Sequence, residues 1–266
     1  MNRLKDKVAV VYGNGAIGST IAKAFAHEGA KVFLTGLTWE KLKAIADDIA
    51  AEGGAIEIAK VDALDEQSVE KHMNEVIKKT GQIDISFNAI GLPPKDIQHT
   101  PLTELPLEQF ILPIATYTQA HFITARAAAK RMMKQGRGVI IMHTANISQV
   151  SSPGAGGRPA AWAALEALCR SLSVECGGNG VRSICLLTSA IPETPAIHSA
   201  FKELFEVSFK GNGTTWEQFN SIVANNTPRK KLTTLKELTD AAVFAASDEG
   251  SAITGTTFNL TAGMIQ

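Results

Sequence analysis

Lys7-Val-Ala-Val-Val-Tyr12-Gly13-Asn14-Gly15-Ala16-Ile17-Gly18 is the stretch on which the reading of this chain turns. Its apolar run, Val8 to Tyr12, has the length and β-branched content of a buried strand. Three glycines follow at the spacing G-x-G-x-x-G. Ile17, Ile21 and Phe25 then recur four residues apart, so the turn opens a helix that Gly29 stops. Glycine at these places permits a tight turn and lets backbone amides approach a diphosphate at the helix N-terminus, where unpaired N–H groups favour negative charge. A strand before, and a helix and second strand after, are the context the motif requires for dinucleotide binding. Gly13, Asn14, Gly15, Ala16, Ile17 and Gly18 are the candidate phosphate-facing residues. The alternative is a glycine turn whose amides hold nothing.

The same alternation continues outward. Short runs rich in Val, Ile and Leu at Lys31–Thr35, Ala55–Val61, Ile83–Asn88, Gly138–His143 and Arg182–Leu187 are separated by longer amphipathic segments. That pattern predicts an α/β chain: a doubly wound parallel sheet with helices on both faces. The 266 residues are 45% hydrophobic and 20% charged, enough to bury about 73% of the extended chain's surface without disulfide or metal staples. With no internal repeat and no obvious linker, residues 1–266 read as a single domain. Residues 192–227 carry two early prolines and then Phe201, Phe205, Phe209, Trp216 and Phe219 among polar residues. This composition suits a helical insertion that covers a pocket as a substrate lid, or an ordinary surface helix pair. Trp162, Leu165, Cys169 and Leu172 form an apolar stripe on an alanine-rich segment, facing either a second subunit or the chain's own sheet.

Lysine plus arginine and aspartate plus glutamate both total 26, leaving no basic excess to neutralise a phosphate backbone or an anionic bilayer. Nucleic acid and membrane are therefore not expected partners, and no metal site is expected. Cys169, Cys176 and Cys185 lack a Cys-x-x-Cys spacing and fit reduced thiols, and the run after the N-terminus is too short for a signal core or a span, so the expected location is cytoplasmic.

The second strand ends in Thr35-Gly36-Leu37-Thr38-Trp39, with no carboxylate to bind an adenosine ribose before Glu40 and no arginine to grip a 2′-phosphate. Leu37 and Thr38 flank the adenosine position, and the hydroxyls of Thr35 and Thr38 could donate to a 2′-phosphate. The reading leans slightly to NADP over NAD.

Several further motifs stand in a telling order. Asp62 follows the third strand, and Asn88-Ala89-Ile90-Gly91 follows the fourth. Leu165-Glu-Ala-Leu-Cys-Arg-Ser-Leu-Ser-Val-Glu175 precedes Gly180-Val-Arg182, and Ser247-Asp248, Ile253-Thr-Gly255 and Asn259 close the series. From about Lys5 to Gly263 the chain thus resembles the short-chain dehydrogenase/reductase family. The resemblance implies a Rossmann fold, an NAD(P) cofactor, a small carbonyl or alcohol substrate, and a homo-oligomer, tetramer or dimer. It also implies an adenine contact at Asp62 and Ala63, a crevice edge at Asn88, Ala89 and Ile90, and a nicotinamide carboxamide contact at Thr194. The chain departs from the family in a glycine turn one residue shorter than Thr-Gly-x-x-x-Gly-x-Gly, with Tyr12 for threonine and Ala16 for the middle glycine. Thr188-Ser189 stands where the family has Pro-Gly.

Members of this family share a serine, a tyrosine and a lysine, usually with an asparagine, that move a proton to a carbonyl oxygen as hydride is transferred. Counting from Leu165-Glu-Ala-Leu168 places Arg158 at the tyrosine and Trp162 at the lysine; Ala145 falls at the serine and Tyr117 at the asparagine. Arginine stays protonated and can only donate, and tryptophan offers one indole donor, so the usual relay cannot form. Three readings stay open. Hydride transfer could survive with the proton from Tyr117 or water, Arg158 receiving an oxyanion or substrate carboxylate. The chain could be a silent NAD(P) sensor or hetero-oligomer partner. Or His143 or His121 could assist an addition or elimination. Tyr117 could also be a core aromatic and Arg158 a loop arginine paired to a surface acid. Leu92, Trp162, Phe201 and Phe205 suggest a partly apolar pocket for a small molecule.

Overall fold

The first apolar run forms strand β1 (Val8–Tyr12), buried at every position. The computed structural model describes residues 2–92, 100–150, 152–195 and 215–265. Beside β1 it sets β2 (Lys31–Gly36), β3 (Ile56–Lys60), β4 (Ile85–Asn88), β5 (Gly138–Ala145), β6 (Val181–Thr188) and β7 (Thr256–Leu260). All pair in parallel, in the order β3-β2-β1-β4-β5-β6-β7. The crossovers are carried by α1 (Ala16–His27), α2 (Trp39–Ala51), α3 (Glu66–Thr80), α4 (Leu107–Gln135) and α5 (Arg158–Cys176). Two more helices, α6 (Trp216–Asn225) and α7 (Leu235–Ala246), precede β7. Strand order reverses between β1 and β4, and in sheets wound this way the crevice beyond the carboxyl ends of those strands is where ligands sit.

The six strands expected from apolar runs are all present, with ends shifted by one or two residues. The seventh was not anticipated, for Thr256-Thr-Phe-Asn-Leu260 is an edge strand with no continuous apolar run and no fully buried position.

Two cores hold the layers together. On one face Ile21 and Phe25 of α1, Leu42 and Ile49 of α2 and Leu238 and Val243 of α7 pack on Val11, Leu34, Phe87 and Ile141, with Phe25 and Phe87 meeting edge to face. On the other, Val69, Met73 and Val76 of α3 and the alanines of α4 cover Val10, Tyr12, Phe33 and Ile140. The apolar stripe of α5 also points inward, Trp162 and Leu165 onto Tyr117 and Cys169 onto Met142 and Cys185. The subunit-contact reading of that stripe is therefore corrected, since its period places it against the chain's own sheet and α4. What α5 shows to solvent is Ala160, Ala163, Ala167, Arg170, Ser171, Val174 and Glu175.

Within 192–227, Thr215 and Gln218 form a reciprocal capping box at the start of α6. Phe201, Phe205 and Phe209 lie outside the described residues. Cys169, Cys176 and Cys185 are unpaired and buried, and no helix among the described residues is long and apolar enough to cross a membrane. Among those residues no cluster of His, Cys, Asp or Glu could hold a metal ion.

The first turn is locked by backbone contact. Gly13 has φ +104°, and a Cβ there would lie 2.5 Å from the Ala89 carbonyl oxygen; a Cβ at Gly18 would lie 1.8 Å from the Gly13 carbonyl oxygen. Rigid backbone on both sides cannot yield cheaply. Gly18→Ala is expected to lose about 2 kcal/mol of stability in urea unfolding, and Gly15→Ala, whose Cβ meets nothing within 4 Å, about 1 kcal/mol or less. A Gly18→Ala protein as stable as the parent would contradict this turn geometry.

Candidate active site

The phosphate end of the crevice is built from the β1–α1 turn. Gly15 is the N-cap of α1 in extended conformation with no side chain capping the helix, so the first amides of α1 are not satisfied from within the turn. Gly15 is exposed, and the space a Cβ would fill there, as at Gly91, is open. Ala16 and Ile17 are half-buried on the first turn and Gly18 is buried beneath it. The residues present thus fit a diphosphate cradle.

Asn14 reaches away from the turn. Its Nδ2 donates to the Thr38 carbonyl at 3.3 Å, and its amide lies over Gly36, where a Cβ would come within 2.5 Å of Asn14 Cγ. The space an acidic side chain would need at the end of β2 is occupied by Asn14. Leu37 and Thr38 are exposed beside it, and Thr38 caps α2 without using its hydroxyl. The expectation for Thr35 is corrected, because it is buried within β2 and its hydroxyl donates to the Val11 carbonyl at 3.2 Å.

Asp62 is exposed and accepts from the Leu64 amide at 2.9 Å, with Ala63 half-buried beside it. Asn88 departs from expectation. It is wholly buried, with both amide atoms unpartnered, because its register opposite Tyr12 and Met142 turns it towards the α3–α4 face. Ala89 and Ile90, half-buried, form the crevice edge instead. Thr194 is also buried, and its hydroxyl donates to the Ile191 carbonyl at 2.9 Å, closing a turn after β6.

The second centre gathers around Tyr117. Gly157 lets the start of α5 press on α4, for a Cβ there would lie 1.9 Å from the Phe110 carbonyl oxygen. This approach brings Arg158, the first residue of α5, and Trp162, one turn on, to Tyr117 of α4. The Tyr117 and Trp162 rings stack with centroids 4.4 Å apart and planes 19° from parallel. The Leu92 amide donates to the Tyr117 hydroxyl at 3.1 Å, and the Arg158 guanidinium stands beside the same oxygen. Burial pushes the Arg158 guanidinium below its ordinary value, and the neighbouring Tyr117 opposes that shift. It remains the cation of the site. Arg158 Nε and Trp162 Nε1 are covered and have no hydrogen-bond partner. Ala145, Leu92, Ile114 and Ile147 close around the stack.

Both candidate histidines are occupied elsewhere. His143 meets the edge of Trp162, its Nε2 2.9 Å from the Thr188 hydroxyl, and His121 Nδ1 lies 2.9 Å from the Tyr117 carbonyl oxygen. Burial lowers each to about 4, so both are neutral near pH 7 and neither offers an imidazolium proton there. Leu92, expected as an apolar wall of the pocket, acts instead through its backbone amide, and Gly157, which sequence reasoning missed, acts through what it lacks; neither role carries a side-chain signal.

The family model described as enoyl-(acyl carrier protein) reductase matches residues 11–265. The chain belongs to the short-chain dehydrogenase/reductase family. It is 29% identical over 260 residues to the oxidoreductase YxbG of Bacillus subtilis, covering 96% of this chain and 89% of that one. It is 27% identical over 254 residues to D-threitol dehydrogenase of Mycolicibacterium smegmatis, covering 95% and 90%. The structure of sorbitol-6-phosphate 2-dehydrogenase from Erwinia amylovora superposes with TM-score 0.86 at 26% identity, covering 97% of this chain and 99% of that one. Family likeness therefore spans the whole sheet, including the segments that carry Tyr117, Ala145, Arg158 and Trp162.

His72, like His121 and His143, is lowered to about 4 by burial. Above the unfolded value of about 6.5 folded and unfolded chains are both neutral at these positions, and the stability tied to them is fully present. As pH falls towards 4, the unfolded chain takes up protons the folded one refuses, and stability drops by up to about 1.4 kcal/mol per pH unit for each histidine. Urea unfolding at pH 7.5, 6.5 and 5.5 is expected to show this decline, and His121→Gln to make it shallower; a flat profile would contradict the burial of these rings.

Proposed function

We propose that this chain is an NAD(P)-dependent oxidoreductase that interconverts a small carbonyl compound and its alcohol, with Tyr117 as proton donor and Arg158 as the positive charge at the reacting oxygen. The observation that carries this reading is the setting of the Tyr117 hydroxyl. Its oxygen accepts from the Leu92 amide, and its own O–H donates to no acceptor among the described residues. That proton is available to a bound carbonyl. Arg158 stands beside the oxygen that becomes negative when the proton leaves, an arrangement worth most where water is excluded. Trp162 fixes the phenol plane by stacking, which a lysine could not do. A bound nicotinamide would contribute hydride transfer to or from the carbonyl carbon.

The cofactor would lie with its diphosphate on Gly13 to Gly18 and its adenosine beside Leu37, Thr38, Asp62 and Ala63. NADP is favoured over NAD because Gly36, covered by Asn14, leaves no carboxylate to repel a 2′-phosphate or to bind a free ribose. Residues 192–227 would cover the substrate, completing one NAD(P)-binding Rossmann domain. The exposed Phe122 of α4 and Ala163, Ala167 and Val174 of α5 make a face suited to a second copy. Three unpaired thiols suit the reducing cytoplasm.

A second reading, a silent NAD(P)-binding sensor or hetero-oligomer partner, draws support from Trp162, which leaves no ammonium where the family holds the cofactor ribose.

Incubation with NADPH or NADH and a panel of small carbonyls, followed by loss of the reduced cofactor's absorbance, is expected to show turnover. Tyr117→Phe should lower it at least tenfold. Cofactor binding that raises thermal stability without turnover on any carbonyl would favour the silent reading. Binding of NAD at least tenfold tighter than NADP would overturn the cofactor preference.

A further inference from the structure

Arg158 is a cation without its counter-charge. Among the described residues no carboxylate pairs with it, and its Nε is covered and donates to nothing. Glu166, the buried carboxylate two turns further along α5, is already engaged by the Ser148 hydroxyl at 2.5 Å and the Gln149 amide at 3.4 Å. A guanidinium whose Nε is covered and unpartnered, with no carboxylate beside it, is costly unless something else supplies the negative charge. Four residues on, and so on the same helix face, Trp162 is 5% exposed and its Nε1–H is likewise unpartnered. The start of α5 adds to the same sign, for its N-cap is Gly157 and no side chain caps it. Both vacant donors border the Tyr117 ring, and the walls around them are apolar.

We propose that the substrate is a small 2-oxo acid, or the 2-hydroxy acid it forms, whose carboxylate is held by Arg158 and the Trp162 indole N–H while its carbonyl oxygen accepts from Tyr117. The spacing selects this class. With the guanidinium beside the phenol oxygen, a substrate whose two receiving oxygens sit on neighbouring carbons can reach both donors at once. A carboxylate further along a chain would reach one donor only by losing the other. In the reducing direction the carbonyl π bond breaks, a hydride from the reduced nicotinamide forms the new C–H bond at C2, and the Tyr117 proton forms the O–H bond. Solvent then returns a proton to Tyr117. This inference rests on the hydride-transfer reading for its chemistry but not for its binding, so the two can fail separately.

The test is calorimetry on the full chain with saturating NADP⁺, using oxamate, a 2-oxo acid analogue that cannot be reduced, against its uncharged counterpart oxamide. Oxamate is expected to bind at least tenfold more tightly. Arg158→Gln should remove that preference, Arg158→Lys should restore part of it, and Trp162→Phe, which keeps the stack and deletes only the N–H, should weaken oxamate about fivefold. Equal binding of the two probes, no detectable oxamate binding, or parental oxamate affinity in both Arg158→Gln and Trp162→Phe would overturn the proposal. If oxamate binds through Arg158 yet no 2-oxo acid is reduced, the carboxylate site stands and the oxidoreductase reading falls. Turnover confined to uncharged carbonyls would do the reverse.

Discussion

The contact between the Gly13 carbonyl and the bare α-carbon of Gly18, with Gly13 itself pressed on the Ala89 carbonyl, is the constraint on which the rest of the molecule depends. It joins three things at one point: the end of β1, the start of α1 and the end of β4. The strand order reverses at this point, and the uncapped amides of α1 lie at the crevice that the reversal opens. A Cβ at Gly13 or Gly18 would lie inside contact distance of rigid backbone, so strand and helix would have to part and carry the crevice with them.

A similar close approach makes the second centre. Gly157 presses the first turn of α5 on the Phe110 carbonyl, and only at that separation can Trp162 stack on Tyr117. On the reading that Ala145, Arg158, Trp162 and Tyr117 stand at the family's four reaction positions, they act as one physical unit. Without a lysine, a tyrosine at 158 would have lost the ammonium that poises it, and an arginine there keeps positive charge in the site without that neighbour. The Tyr117 phenol lies on the facing helix, where the Leu92 amide donates to it and the indole stacks on its ring. Ala145 leaves that space apolar, so the polarity of the site comes from α4, α5 and one loop amide.

Much of the fold was legible because buried parallel strands announce themselves as apolar runs, and six of them did. The seventh was hidden by the half-exposed side chains of an edge strand. Of the site, the glycine turn was readable because glycine spacing records backbone approach directly. Ala145, Arg158, Trp162 and Tyr117 could be located by counting from the Leu165 run, yet nothing in their identities disclosed the stack, since it depends on the pitch between two helices. Thr35 and Asn88 were misread for a related reason. A strand residue at the sheet's carboxyl end faces either the crevice or the opposite core, and one step of register decides which. Phase in the strand sent Asn88 beneath the surface and spent the Thr35 hydroxyl on Val11.

The two ends of the crevice are also tied to each other. The glycine turn is one residue shorter than the family's, and within it Asn14 sends its amide across to the Thr38 carbonyl. Gly36 makes room for that bridge, because any side chain at the end of β2 would meet the Asn14 amide. The lost carboxylate and the shortened turn are therefore not independent departures. A cofactor seated here would meet a loop that holds its diphosphate and, through a single side chain, sets the shape of the space beside its adenosine ribose. On the proposed cofactor site, selectivity at that end would follow from the space Asn14 leaves open, since β2 ends in Gly36 with no charged side chain there.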